Sequence, residues 1–163
     1  MANEIRNKWQ NAAAFSTLTN LNSLADGNIW QSELMSAEAA TGITYPGVQI
    51  WYELDWNAAP AAGDSISFFI AEGDEHASEI WPGNLTEGEA ELSTAAARDP
   101  VLDNIRAVHR VAMRGANYTT NVKGSFKYYD LAPDWILLIM VEGEALAASG
   151  NALHYRYFEP QGQ

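Results

Sequence analysis

The stretch AEGDEHASEIW (71–81) gathers Glu72, Asp74, Glu75, His76 and Glu79. Hard cations such as Ca²⁺ take several oxygen ligands, so an acidic loop of this kind is a candidate cation site. Its spacing fits no loop of the Asp-x-Asp-x-Asp-Gly type. With 21 acidic residues in the chain, a solvated acidic loop is the plainer reading. Glu53 and Asp55 offer a second kind of chemistry. Two apart on one strand face, they would lie roughly 6–7 Å from each other, within range of the paired carboxylates of glycoside hydrolysis. Outward acids on a strand need no such explanation, however. The three histidines are His76, His109 and His154. No G-x-S-x-G is present and nothing sets a serine beside a base, so a nucleophilic triad has no support. His109 alternates in step with Ile105, Ala107, Val111 and Met113, which predicts a hydrogen-bonded core histidine. No glycine-rich phosphate loop is found. The sequence predicts a protein without enzymatic activity, bound metal or cofactor.

What remains is recognition chemistry. Arg106, Arg110 and Arg114 form a basic stripe in an acidic chain. It is suited either to cross-strand pairing with outward carboxylates such as Glu53 or to an acidic patch on a neighbouring subunit. Six tryptophans and seven tyrosines are present, and three of the tryptophans lie where no core face claims them. Trp9 is near the N-terminus, Trp81 is in the loop EIWPGN, and Trp51 is on the polar side of a strand. Aromatic side chains are the usual anchors of protein interfaces. Trp9, Trp51, Trp81, Arg106, Arg110 and Arg114 are therefore the candidate interface residues.

The elements that must position them read as strands. In VQIWYELDW (48–56), Val48, Ile50, Tyr52, Leu54 and Trp56 alternate with Gln49, Trp51, Glu53 and Asp55, the period of a half-buried strand. Trp51 is out of place on the wet face, so a further layer is expected to cover it, either the 72–104 segment or an adjacent subunit. AFSTLTNLNSL (13–23), IWQSELM (29–35), SISFFIA (65–71), NIRAVHRVAMR (104–114), GSFKYYDL (124–131), WILLIMV (135–141) and ALHYRYF (152–158) are also strand-like, with glycine and proline punctuation between them. WILLIMV is apolar on both faces, as a central strand covered on both sides should be. The best helix candidate, EGEAELSTAAARDPVLDNIR (87–106), is interrupted by Pro100 and has no 3.6-residue period, which predicts at most a short helical turn. The fold class is all-β, an antiparallel sandwich of about eight strands with one long loop segment from 72 to 104.

Composition sets the outer limits. A chain of 163 residues with 47% hydrophobic content suits one domain with a sizeable core. Nine basic against 21 acidic residues leave a net charge of −12, which disfavours nucleic acid and anionic membrane surfaces as partners. An acidic surface also suits a component present in many copies, although ordinary acidic proteins share it. The absence of cysteine excludes disulfides and thiolate zinc sites. MANEIRNKWQ has no apolar h-region, and WILLIMV is far shorter than a membrane span, so a soluble protein made in a cytoplasm is expected. Residues 1–12 are expected to be an N-terminal arm, 13–158 the sandwich and 159–163 a C-terminal tail, with arm and tail ordered by neighbouring subunits.

Several longer stretches carry a family likeness. They are LNSLADGNIWQSELM, the alternating strand that follows it, FFIAEGDE, and NIRAVHRVAMRGANYTTNVKGSFKYYDLAPDWILLIMVEGEALAASGNALHYRYF. Together they resemble small virion structural proteins of tailed bacteriophages, over roughly residues 17 to 158. The shared plan is an early LxSLA…WQS stretch, a variable middle, and late strands introduced by YTTNVKGSF and ALAASGNALHY. The resemblance implies a jelly-roll sandwich with an accessory virion role and no catalytic residues to carry over. The expected function is that of a capsid decoration or cement protein, bound to the major capsid protein or other virion proteins and present as a homo-oligomer. It would be made in the bacterial host cytoplasm and located in the virion. A fibre, collar or neck and tail position is the neighbouring alternative. A carbohydrate-binding module, using exposed tryptophans to stack on sugar rings, is the alternative from another class.

Overall fold

The alternation read in residues 48–56 is realised as a nine-residue strand at the centre of one of two stacked sheets. The computed structural model describes residues 6–38, 44–73, 81–82, 85–114 and 120–161. Among these are eleven strands and one helix: β1 (Arg6–Trp9), β2 (Ala13–Ala14), β3 (Ile29–Gln31), β4 (Met35–Ser36), β5 (Gly47–Asp55), β6 (Ser65–Glu72), β7 (Ala90–Leu92), α1 (Ala95–Asn104), β8 (Ala107–Ala112), β9 (Asn121–Tyr129), β10 (Asp134–Glu142) and β11 (Ala152–Gln161). The first sheet runs β1–β11–β5–β9, with β2 also on β11; the second runs β7–β3–β10–β6–β8, with β4 also on β10. All pairings are antiparallel.

The order has a simple logic. β1 and β2 pair with β11, β3 with β10, β5 with β9, and β6 with β8, so each pair nests inside the one before it. The chain is one long hairpin whose successive pairs alternate between the two sheets, which is the jelly-roll arrangement. With β1 and β2 counted as one interrupted strand, eight strands carry the topology and the short β4 and β7 are additions. The interruption is brief, since Gln10 N–H donates to Tyr157 O at 3.0 Å and Phe15 N–H to Leu153 O at 3.1 Å.

Between the sheets lies the main core. Val48, Ile50, Tyr52, Leu54, Leu153 and Tyr157 of the first sheet meet Ile66, Phe68, Ile70, Trp135, Leu137, Ile139 and Val141 of the second. Trp135 Nε1–H donates to the Tyr157 hydroxyl at 3.2 Å, which gives a buried indole its partner.

WILLIMV is covered on both faces, as its composition predicts. Ile136 and Leu138 of β10 point away from the main core into a second one with Ile29, Phe69, Ala71, Trp81, Leu85 and Val101. The cover is the segment with little strand signal. Its placement is fixed by polar contacts. Buried Gln31 donates from Nε2 to Gly88 O at 2.6 Å and also to Thr86 O, while Trp30 Nε1–H and Asn20 N–H donate to Glu89 at 2.8 Å each. Arg98 of α1 reaches the Gly27 carbonyl.

Three element expectations change. Where the sequence predicts at most one helical turn, α1 is ten residues long with Pro100 inside it. Its lack of an apolar stripe is real, and the helix is anchored through Val101, its one buried side chain, which packs in the second core. Residues 13–23 are a strand only at Ala13–Ala14. Beyond Ser16 the chain turns on local bonds such as Asn22 N–H to Leu18 O, while Leu21 and Leu24 still reach the core. Residues 6–9 and 159–161, which the sequence places in an arm and a tail, pair with each other as the outermost rung of the hairpin.

Trp81, a candidate interface anchor, is instead a core residue with 8% of its surface exposed. A loop position conceals burial that only tertiary packing creates. Trp81→Ala should therefore lower the unfolding free energy of the isolated protein by about 3–5 kcal/mol, read as a shift of the urea midpoint. An unchanged midpoint would return Trp81 to a subunit interface.

Candidate functional site

The outer face of the first sheet is assembled from alternate residues of β1, β11, β5 and β9. Register places Trp51 between His154 and Ser125, Gln49 between Arg156 and Lys127, and Glu53 between Ala152 and Lys123. Trp9 pairs with Phe158 at the β1 edge. These positions range from half-buried to exposed except Phe158, which is fully buried although it belongs to neither core. Its ring lies across the strand at Gly47, where a Cβ would meet it at 2.5 Å, so only glycine fits there. Trp9 and Tyr129 pack against the same ring, with centroids 4.9 and 5.2 Å away.

Arg156 lies between the two candidate tryptophans of this sheet. Its guanidinium carbon is 3.8 Å from the Trp9 ring centroid and 4.8 Å from that of Trp51, and one Nη donates to Gln49 Oε1 at 3.1 Å. Lys127 Nζ is 5.1 Å from the Trp9 centroid and 5.9 Å from that of Phe158. Cations over aromatic faces are attracted by the ring quadrupole, worth about 0.5–1 kcal/mol at exposed sites. Trp51 is thus half-covered, by a cation of its own sheet and not by the 72–104 segment. The 72–104 segment, where described, lies over the opposite sheet instead.

Toward the Glu53 end of Trp51 the face opens into a shallow groove of about 400 Å³, lined by Trp51, Tyr52, Glu53, Lys123, Gly124, Ser125, Ala152 and His154. Lys123 Nζ sits 2.5 Å from Glu53 Oε1, and Asn121 Nδ2 donates to Glu53 at 3.2 Å and to Asp55 at 2.6 Å. The hydrogen bond from Lys123, aided by its charge and by Asn121, holds the Glu53 carboxyl below its ordinary range. A glycosidase acid needs the opposite shift, so Glu53 is not tuned to serve as that acid.

The arginine stripe does not survive as a unit. Only Arg110 lies within β8; Arg106 precedes the strand and Arg114 follows it, both exposed. Arg110 pairs with Glu142 at 2.8 Å and donates to Ser65 Oγ at 2.9 Å, on the outer face of the second sheet. Glu53, the partner suggested by sequence, belongs to the other sheet. Of the acidic cluster, Glu72 accepts the Ala132 N–H at 2.9 Å, while Asp74, Glu75, His76 and Glu79 lie outside the described residues. Among the described residues, no three histidine or carboxylate side chains converge as metal ligands would.

His109 is half-buried at the end of the sandwich where the edge strands β8 and β9 face each other. Its Nε2 shares a hydrogen bond of 3.0 Å with the Tyr52 hydroxyl, and its ring stacks on Phe126 at 4.9 Å. Glycine at 124 is required here, since a Cβ would run into the Tyr52 hydroxyl. This is the hydrogen-bonded histidine that the sequence predicts, and it links the two sheets. Compared with known protein families and with curated proteins, the chain matches none.

Burial lowers the His109 pKa from its ordinary value of 6.5. The unfolded chain then binds the proton more readily than the folded one, so stability is full above that value and falls as pH drops below it. Urea midpoints measured at about pH 7.5 and about pH 5 should show this slope, and it should be reduced in His109→Phe, which keeps the stacking. An identical slope in the variant would mean that the carboxylates alone produce it. Tyr52→Phe should cost about 0.5–1.5 kcal/mol at the higher pH.

Proposed function

We propose that the chain is a structural component of a tailed-phage virion, a decoration or cement protein seated on the major capsid shell. The observation that carries this reading is the asymmetry of the sandwich. The outer face of the second sheet is roofed by the chain's own Trp81, Leu85 and α1, whereas the first sheet presents Trp9, Arg156, Trp51 and Lys127 on an outer face. Aromatic and arginine side chains gathered on one uncovered face are the composition of a protein interface. The sequence resemblance to small phage virion proteins, and its implication of a jelly roll, point the same way. The partner would be the major capsid protein or another virion protein, and the protein would be found in the virion as a homo-oligomer. A fibre, collar or neck position would use the same face.

The groove beside Trp51 favours a second reading, a carbohydrate-binding module, because an indole wall with polar groups opposite suits a sugar ring. Mass spectrometry of purified particles separates the readings. A copy number near that of the major capsid protein supports decoration, a few copies per particle support a fibre or collar, and absence overturns the virion reading. Trp51→Ala should weaken particle occupancy or stability by about 1–3 kcal/mol while leaving β5 folded. Quenching of tryptophan emission by neutral oligosaccharide, with no occupancy on particles, would favour the sugar-binding module.

A further inference from the structure

Arg156 and Lys127 both lie within 5.1 Å of the centroid of the Trp9 ring, and neither has a carboxylate partner among the described residues. In a chain with 21 acidic and nine basic residues, two like charges converging on one ring without a counter-charge among the described residues call for an explanation. The nearest acid by register, Glu53, is already engaged by Lys123 and Asn121. Within Arg156 itself, Nε is buried and makes no hydrogen bond, so a donor is held out of water without an acceptor. Leaving a buried donor unmatched is costly, which marks Arg156 as a strained position, and an anion approaching the guanidinium and Lys127 from solvent removes the mutual repulsion of the two cations.

From this we infer that the Trp9–Arg156–Trp51 face, with Lys127, is a docking surface for an acidic protein segment. A carboxylate of that segment bridges Arg156 and Lys127 while its neighbours pack on the exposed parts of Trp9, Trp51 and Tyr129, the last 52% exposed. The inference rests on the reading of this face as an interface and adds the chemistry of the partner. Charge selects among occupants. A second copy meeting this face with the same face would set Arg156 and Lys127 against their own like charges, so self-association through this face is disfavoured. A neutral sugar would leave both cations unmatched. An acidic segment of a different subunit satisfies them, because this patch is locally basic on an otherwise acidic protein.

The test uses the isolated full chain and a short blocked peptide of alternating glutamate and alanine, followed by tryptophan emission and by indole N–H shifts in NMR. Its controls are the glutamine–alanine counterpart and cellohexaose. The glutamate peptide should bind at low salt and shift the signals of Trp9 and Trp51. Affinity should fall about tenfold in Lys127→Gln, and by a similar factor in Arg156→Gln. Lys127 is exposed, so its variant keeps the test valid even if Arg156→Gln perturbs the sheet. Equal binding of the glutamine peptide, undiminished binding by Lys127→Gln, binding of cellohexaose alone, or dimerisation through this face in sedimentation would each overturn the inference. Absence of the protein from phage particles would remove the virion reading without altering the peptide result, so the two failures are distinguishable.

Discussion

The burial of β10 on both faces is the constraint from which the rest of the structure follows. Trp135, Leu137, Ile139 and Val141 point into the main core, and Ile136 and Leu138 point the other way. A strand apolar on both sides needs two covers, because each uncovered large side chain forgoes about 1.5–3 kcal/mol of burial. The first sheet supplies one cover. The other is made from Trp81, Leu85 and Val101, in a segment whose own sequence shows neither a strand period nor a helical one. This explains why a proline-containing helix persists: it is held by what it covers and by the Arg98 contact to Gly27.

Using that segment on the second sheet leaves the first without a roof from the same source. Its outer face is then managed by side chains of its own strands. Phe158 is buried beneath Trp9 and Tyr129, Arg156 is inserted between two indoles, and Lys123 neutralises Glu53. These contacts shield apolar surface while keeping cationic and aromatic groups available, a different solution from the dry packing on the opposite side. The asymmetry between the two outer faces is thus a consequence of how the 72–104 connection is spent.

Nested pairing gives the fold a second property. Each strand pair encloses all those inside it, so β1 meets β11 across nearly the whole chain length. Such contacts carry a large loop-closure entropy and depend on the inner pairs being formed first. The segments near both termini are therefore structural members of the first sheet, and Trp9 is brought to Arg156 only by this closure. At the other end of the sandwich, His109 on the edge strand β8 bonds Tyr52 of β5 and stacks on Phe126 of the edge strand β9, which ties the two sheets together.

Sequence alone determined the parts that depend on local periodicity. The alternation of residues 48–56 specifies β5 and its inward set, the continuous apolar run of 135–141 specifies a strand buried on both faces, and the setting of His109 among apolar positions specifies a hydrogen-bonded histidine, which the structure places half-buried at the sandwich end and not in either core. These are legible because period two and residue type act over a few positions. Tertiary structure decided what depends on partners distant along the chain. It took Trp81 from a supposed surface into the second core, divided the arginine stripe, and formed α1 where propensity argues against it. It also paired the two ends and placed Arg156, which had no distinguishing signal in its own strand, between Trp9 and Trp51. The physical reason is the same in each case: burial and charge pairing are set by which strands the nested hairpin makes neighbours, and no local pattern encodes that.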